Sequence, residues 1–253
     1  MDANGQVAVV TGGASGLGKA TAQALIAAGA RVAILDIDEH HVVESAGEIG
    51  ALGVTCDVRD AGSMERAFMT VRESLGRTRI LVNCAGIGPA KRIVGHDGPM
   101  ELSWFENVIR VNLIGSFNAL RLAAADMMAL EPSADGERGV IVNTASVAAT
   151  EGQIGQAAYS ASKGGVAAMT LPAAREFARN GIRVNAISPG LFATPMLFAL
   201  PEEVQKSLAE SVPFPHRLGR PEEYAALAMH LIANPMINGE VVRLDGALRM
   251  APR

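Results

Sequence analysis

Three polar residues in one stretch of the sequence carry the side chains needed for acid–base chemistry at an oxygen atom. Ser146 follows a β-branched run at 140–142, and Tyr159 and Lys163 lie four residues apart in an alanine-rich stretch. On a helix, that spacing puts both residues on one face, about one turn apart. A nearby ammonium group favours the phenolate and lowers a phenol pKa that is otherwise about 10. Tyr159 is therefore a candidate general acid/base, and Ser146 a candidate donor to a carbonyl oxygen.

The Tyr159–Lys163 spacing also has an ordinary structural interpretation. On many helices a tyrosine and a lysine at this spacing are a packed ring and a solvated amine. The two interpretations differ in what the rest of the chain must supply, because a catalytic pair needs neighbouring elements that bind a cofactor and a substrate.

A glycine-rich turn near the N-terminus is the first such element. An apolar run at 7–10 predicts a strand, the letters TGGASGLG follow at 11–18, and 19–28 predicts a helix. Glycines permit a tight turn and close backbone approach, and free amide groups at a helix start can bind a pyrophosphate. This order predicts a dinucleotide site with the candidate contacts Gly12, Ser15, Gly16, Leu17 and Gly18.

The second predicted strand, 31–36, ends in an acid, Asp36, which lies 18 residues after Gly18. A carboxylate at this place can accept hydrogen bonds from ribose hydroxyls and repels a 2′-phosphate. Neither Gly13 nor Ile37 is basic, so the sequence predicts NAD rather than NADP. The alternative is that Asp36 only caps the helix that begins near Asp38.

Strands and helices alternate along the rest of the chain. Further strands are predicted at 54–58, 79–82, 140–142, 181–188 and 240–244, with helices at 39–49, 63–75, 104–128 and 222–232. This pattern predicts an α/β fold: a single doubly wound Rossmann-type domain over 1–253 with a parallel, seven-stranded sheet. Ligands bind such sheets at the carboxyl ends of the strands.

Several small and polar residues fall at those predicted strand ends. The candidate cofactor contacts there are Asp57, Val58, Asn83, Ala85, Gly86, Pro189, Gly190 and Thr194, together with Tyr159 and Lys163. Asp57 is either an acceptor for the adenine amino group or an ordinary loop carboxylate. Asn112, in an apolar helix, either holds a water or bends the backbone.

Two segments interrupt the alternation and are candidate substrate loops. The loop near 87–101 is rich in Gly and Pro and carries Lys91, Arg92 and His96. It is either a solvated connection or a contact for an anionic, phosphate-bearing substrate tail. Residues 191–217 contain two short amphipathic pieces and several prolines, which predict a lid over the substrate.

Composition narrows the class of protein. The net charge is −4, so there is no general electrostatic reason to bind nucleic acid or an acidic membrane, and no apolar run is expected to span a bilayer. Cys56 and Cys84 form neither a disulfide framework nor a metal pattern, so no metal is predicted and both are expected in the core. The letters MDANGQ at 1–6 are short and include an acid, so neither a signal peptide nor an obvious transit peptide is expected there, and a cytoplasmic location is the default expectation.

Together these motifs closely resemble the short-chain dehydrogenase/reductase family over essentially the whole chain. The matching passages are TGGASGLG, Asp36, CDV at 56–58, NCAG at 83–86, VN at 111–112, Ser146, YSASK at 159–163 and PG at 189–190. The resemblance implies NAD-dependent oxidation of a secondary alcohol. It also implies that Ser146, Tyr159 and Lys163 are the catalytic triad and that Asn112 is its fourth member, linked through a water to Lys163.

Longer passages resemble one subgroup of that family, which acts on (3S)-3-hydroxyacyl-CoA. They are residues 143–165, 189–196, 212–225 and 238–250. This resemblance implies an acyl-CoA substrate, Gln153 near the substrate with Ser146 and Tyr159, and a homotetramer. The subgroup carries a lysine-rich insertion after the NCAG strand, whereas this chain has Lys91, Arg92 and His96 there, partly offset by Asp97. The N-terminus lacks a mitochondrial-type basic extension, so a cytoplasm, bacterial in type, is expected.

Other functions fit parts of the same pattern. A dehydrogenase of free alcohols, steroids or polyols would not need CoA. A 3-oxoacyl carrier-protein reductase is a related option, but Asp36 argues against its usual NADPH. A nucleotide-binding scaffold is the alternative from another class, and the complete catalytic set argues against it.

Overall fold

Seven apolar runs pair as parallel strands in the computed structural model, which describes residues 1–252. Their order is β3-β2-β1-β4-β7-β8-β9, with a separate two-stranded hairpin, β5-β6. The strands are β1 (Val7–Thr11), β2 (Arg31–Asp36), β3 (Leu52–Thr55), β4 (Ile80–Asn83), β5 (Val94–Gly95), β6 (Gly98–Pro99), β7 (Gly139–Thr144), β8 (Ile182–Pro189) and β9 (Val241–Leu244). The predicted parallel, seven-stranded sheet is confirmed.

Helices cover both faces of the sheet. They are α1 (Gly16–Ala27), α2 (Glu39–Ile49), α3 (Ala61–Ser74), α4 (Leu102–Ile109), α5 (Gly115–Met128), α6 (Ala157–Phe177), α7 (Pro195–Phe198), α8 (Glu202–Glu210) and α9 (Pro221–Ala233). The apolar faces of α1, α2 and α9 pack on one side, and those of α3, α5 and α6 on the other. The central strands β1, β4, β7 and β8 are buried along their whole length, which explains their continuous apolar runs.

The third strand ends earlier than the sequence predicted. It was expected to continue through Val58, but β3 ends at Thr55. The amide of Asp57 donates instead to the Ser63 hydroxyl at 3.1 Å, and the Asp60 side chain caps α3. Asp57 and Val58 are thus drawn out of the sheet and toward its carboxyl edge.

The predicted helix 104–128 is present as α4 and α5, which are joined without a break by a π-turn at Arg110–Ile114. Contrary to the sequence-based expectation, this stretch is long and apolar enough by composition to cross a bilayer. Half of its most apolar window is buried within the protein, as in the core helices of soluble proteins, which pass the same test.

The two predicted substrate loops differ in structure. The loop 87–101 contains the small hairpin β5-β6, which the sequence did not predict. The segment 191–217 contains α7 and α8, which correspond to the two short amphipathic pieces expected there. No residue of α8 is buried, so this helix lies at the surface.

Candidate active site

A cavity of about 660 Å³ lies at the carboxyl edge of the sheet. It is lined by most of the predicted site residues: Gly12, Ser15, Gly16, Leu17, Gly18, Asp36, Asp57, Val58, Ala85, Gly86, Ser146, Gln153, Tyr159, Lys163, Pro189, Gly190 and Thr194. Two predicted site residues do not line it: Asn83, a candidate cofactor contact, and Asn112, the candidate fourth catalytic residue. The fold therefore brings the dinucleotide motif and the candidate acid–base group into one space.

The glycine turn is shaped so closely that larger residues would not fit. A Cβ on Gly12, whose φ is +64°, would lie 2.7 Å from the backbone of Ala85. A Cβ on Gly18 would lie 2.1 Å from the carbonyl oxygen of Gly12. Ser15 precedes α1 and makes no side-chain capping bond, so its hydroxyl and the first amides of the helix are available to an anion. The turn fits the pyrophosphate of a dinucleotide.

Asp36 lies at the end of β2 with its carboxylate held beside the glycine turn. Its Oδ2 accepts from the amide of Ala14 at 3.2 Å, and its Oδ1 accepts from the amide of Ile37 at 2.8 Å. The capping alternative is wrong, because Asp38 caps α2 by accepting from the amide of His41. Each Asp36 oxygen keeps further acceptor capacity, which fits a pair of ribose hydroxyls.

Asp57 is clamped by a residue that the sequence interpretation missed. The guanidinium of Arg59 donates from Nε to Oδ1 at 3.0 Å and from Nη2 to Oδ2 at 2.7 Å. These bonds lower the pKa of Asp57. Arg59 also donates to Asn107 on α4 at 3.0 Å, and both of these residues line the cavity. The signal available in the sequence was a basic residue two positions after Asp57.

Ser146 and Tyr159 meet because a short turn joins the end of β7 to α6. The Ser146 oxygen accepts from the amide of Ala148 at 3.1 Å and so begins the 3₁₀ turn Val147–Ala149. Tyr159 lies in the first turn of α6. Burial raises the pKa of Tyr159, and a hydrogen bond with Ser146 opposes the rise. The phenol is therefore protonated at neutral pH and placed to donate.

Lys163 is buried one turn further along α6. Its Nζ donates to the carbonyl oxygen of Thr144 at 2.7 Å and lies 6.0 Å from the centre of the Tyr159 ring. Burial lowers the pKa of Lys163 to about 8, with a small opposing effect of Cys84. The expectation that Lys163 lowers the pKa of Tyr159 is not met in this structure, because burial dominates at both groups.

Asn112 lies in the π-turn and acts through its contacts with a loop. Its Oδ1 accepts from the amide of Ile87 at 2.8 Å, and its Nδ2 donates to the Ile87 carbonyl and the Ser162 hydroxyl, both at 2.9 Å. Its backbone carbonyl accepts from Ser116 at 2.6 Å. The side chain thus holds the NCAG loop against α6, and the position of Asn112 in the π-turn agrees with the alternative that it bends the backbone. Its role in a water-linked relay to Lys163 stays a prediction.

Asn83 likewise holds strands together and does not reach the cavity. It accepts from Thr11 at 3.2 Å and donates to Asn143 at 2.9 Å, so one hydrogen-bonded row crosses β1, β4 and β7. Its side chain is a buried link that aligns the strand ends, and a direct cofactor contact of Asn83 stays a prediction. Cys56 is buried in the core, as expected, whereas Cys84 is only half-buried at the edge of the core, and both residues also line the cavity.

The far side of the cavity is apolar. The segment 191–217 supplies Met196, Leu197, Leu200 and Leu208, and the C-terminal segment supplies Met250. Gln153 lines the same region, and its Nε2 donates to the carbonyl oxygen of Ala251 at 2.9 Å. Met250 and Ala251 had no predicted role, since nothing in their local sequence indicates that the tail returns to the site. In residues 1–252, no group of three or more His, Cys, Asp or Glu is placed to hold a metal ion.

Comparison with known proteins agrees with this geometry. A model of the short chain dehydrogenase family matches residues 6–205. Proteins named 3-hydroxyacyl-CoA dehydrogenase type-2 from Drosophila melanogaster and Homo sapiens are each 51% identical to the chain, over 97% and 98% of it and 98% and 97% of their own lengths. A crystal structure of 3-hydroxyacyl-CoA dehydrogenase type-2 from Mycobacterium avium superposes with a TM-score of 0.93 at 45% identity, covering 98% of both chains. With the glycine turn, the parallel sheet and the Ser146, Tyr159 and Lys163 arrangement in place, these matches establish that the chain belongs to the short-chain dehydrogenase family.

Proposed function

We propose that this protein is an NAD-dependent dehydrogenase of (3S)-3-hydroxyacyl-CoA esters that interconverts them with 3-oxoacyl-CoA. The observation that carries the proposal is the shared cavity, which joins a dinucleotide cradle to a buried serine, tyrosine and lysine. Relatives at 51% identity over nearly the whole chain carry the name 3-hydroxyacyl-CoA dehydrogenase type-2, which supports the choice of substrate.

Each polar residue of the site has a separate task in this proposal. In reduction, the Tyr159 phenol donates its proton to the carbonyl oxygen, and in oxidation its phenolate form takes the proton of the substrate hydroxyl. Ser146 donates to the same oxygen and fixes its position. NAD, when bound, accepts the hydride from the carbinol carbon, and NADH returns it. Lys163 supplies positive charge beside the phenol and is the candidate partner of the nicotinamide ribose.

The choice of NAD over NADP depends on Asp36. Its carboxylate is held by the amides of Ala14 and Ile37 beside the glycine turn, where it would meet the adenosine ribose of a bound dinucleotide. A 2′-phosphate placed there would meet a fixed negative charge. The nearby cation Arg59 is paired with Asp57, which reduces its attraction for such a phosphate.

The acyl-CoA part of the proposal is supported by the apolar lid and the basic loop. Met196, Leu200, Leu208 and Met250 offer an apolar surface for an acyl chain. In the loop 87–101, Lys91 Nζ lies 4.8 Å from the centre of the Trp104 ring and so makes a cation–π contact. Arg92 is exposed and has no carboxylate partner among residues 1–252, so it is the better candidate for a CoA phosphate.

NADH oxidation by the purified protein tests the proposal, with acetoacetyl-CoA run beside acetoacetate and a simple ketone. Fast turnover of the CoA ester alone is expected. Equal or faster turnover of the free ketones would contradict CoA specificity and favour an alcohol dehydrogenase that does not use CoA. The homotetramer and the cytoplasmic location stay predictions, which gel filtration and cell fractionation would test.

A further inference from the structure

A single carboxylate joins the loop that carries Gln153 to the C-terminal segment. Glu151 lies just after the 3₁₀ turn that follows Ser146. Its two oxygens accept from Arg243 Nη1 and Nη2 at 2.9 and 2.8 Å, which is the paired geometry that guanidinium and carboxylate groups favour. The same carboxylate accepts from the backbone amide of Met250 at 3.1 Å. Glu151 therefore contacts β9 and the tail at once.

Alternating charges hold the tail in this place. Arg243 also pairs with Asp245 and donates to the carbonyl oxygen of Leu248 at 2.7 Å. Arg249 lies 3.5 Å from Glu151 and 3.2 Å from Asp245. The hydrogen bonds from Arg243 lower the pKa of Glu151, so the carboxylate is charged at neutral pH. Removing the charge of Glu151 would leave both arginines short of a partner.

The clamped tail in turn fixes Gln153. The carbonyl oxygens of Ala251 and Pro252 accept from Gln153 Nε2 at 2.9 Å and from the Ile154 amide at 3.1 Å. A carbonyl oxygen can only accept, so the nitrogen of the Gln153 amide must face the tail. Its oxygen is then left as the acceptor for a donor group in the cavity. Met250, held through its own amide, forms part of the cavity wall.

We propose that Glu151 is a positioning residue that sets the affinity for the acyl substrate by clamping the tail against the Gln153 loop. The proposal rests on the function proposed above and goes beyond it, because Glu151 itself does not line the cavity. We expect Glu151 to affect substrate binding more than cofactor binding. Among residues 1–252, no hydrogen bond joins the glycine turn or Asp36 to Glu151, Arg243 or Arg249. The contact between these two parts of the protein is at Gly190, whose amide donates to the carbonyl oxygen of Leu244 at 2.9 Å.

Glu151→Gln tests the proposal in the full-length protein, with acetoacetyl-CoA and NADH as the substrates. The KM for acetoacetyl-CoA should rise about fivefold, the order expected when one positioning contact is displaced. The KM for NADH should stay within about twofold of wild type, and kcat should fall less than the ketone KM rises. Glu65→Gln is the matched control, because it breaks a surface pair between Glu65 on α3 and Arg121 on α5 and should change neither KM. In a Gln153→Ala background, Glu151→Gln should have a much smaller effect on the ketone KM, since its action passes through Gln153.

Hydrogen exchange provides a readout that needs no turnover. In Glu151→Gln the amides of Met250 and Ile154 should exchange faster than in wild type, whereas in Glu65→Gln they should not. The positioning role would be overturned if the KM for acetoacetyl-CoA and the KM for NADH rose equally in Glu151→Gln. It would also be overturned if the amides of Met250 and Ile154 exchanged faster while the KM for acetoacetyl-CoA stayed unchanged. If wild type turns over only free ketones, the proposed substrate is wrong, and the same comparison with the best ketone still decides whether Glu151 acts as a clamp.

Discussion

Because the Lys163 ammonium group is buried, it should make the free energy of unfolding of this protein depend on pH. Lys163→Met should remove that part of the pH dependence. The side chain is 4% exposed, and its pKa is lowered from 10.5 to about 8. Between these two values the unfolded chain binds more protons at this site than the folded protein does. The contribution of Lys163 to the free energy of unfolding therefore rises with pH between about 8 and 10.5.

The size of this effect follows from the shift in pKa. Each unit corresponds to about 1.4 kcal/mol, so the full contribution is about 3.4 kcal/mol. Most of it lies above neutral pH, and about 2 kcal/mol should develop between pH 7 and 9.5. Lys163→Met keeps the length of the side chain but removes the titrating group. It also leaves the Thr144 carbonyl without its donor, but that cost does not depend on pH and cancels in the comparison.

Urea unfolding of wild type and Lys163→Met, followed by circular dichroism at pH 7 and 9.5 and at one protein concentration, measures the effect. The difference in unfolding free energy between wild type and variant should move in favour of wild type by about 2 kcal/mol. Lys206→Met, which removes an exposed lysine of α8, should show no comparable change. A difference that stays constant within about 0.5 kcal/mol, or that moves the other way, would refute the assignment of Lys163 as a buried, weakened base.

Three further substitutions test other parts of the site. Tyr159→Phe should lower turnover by at least about 100-fold while NADH binding, followed by its fluorescence, stays near wild type, because the ring is kept and only the proton-transferring group is lost; retained turnover would exclude Tyr159 as the acid/base. Asp36→Asn should raise the KM for NAD about tenfold and leave NADP use less affected, since it removes the charge beside the ribose; an unchanged ratio of kcat/KM for the two cofactors would show that another residue selects between them. Gly18→Ala should weaken NADH binding strongly, because the added Cβ would lie 2.1 Å from the carbonyl oxygen of Gly12. Gly47→Ala on α2 is the control: its added Cβ meets nothing within 4 Å, so it should leave NADH binding intact and add about 0.5–1 kcal/mol to the free energy of unfolding. Equal NADH binding by both variants would contradict the close-packed turn.

Local sequence patterns predict those features of this protein whose geometry has a short-range physical cause. Apolar runs between helical stretches predict parallel strands, and the sheet has seven of these strands, of which the four central ones, β1, β4, β7 and β8, are buried throughout. The glycine turn, Asp36 and the Tyr159–Lys163 spacing are each short-range patterns whose geometry is set within one strand end or one helical turn. For the same reason the family could be identified from motifs in order along the chain.

The directions of polar side chains and their surroundings depend on contacts between residues that are far apart in the sequence. Asn83 and Asn112 have the residue type and position of site contacts, yet both turn inward, because buried amides on neighbouring strands and loops satisfy them. Arg59 lines the cavity because it pairs with Asp57, and the sequence pattern indicated Asp57 but not Arg59. The directions of the Tyr159 and Lys163 pKa shifts depend on burial, which no spacing reveals. The tail meets Gln153 across 98 positions of sequence, a contact that exists only because β9 delivers the tail to the carboxyl edge of the sheet.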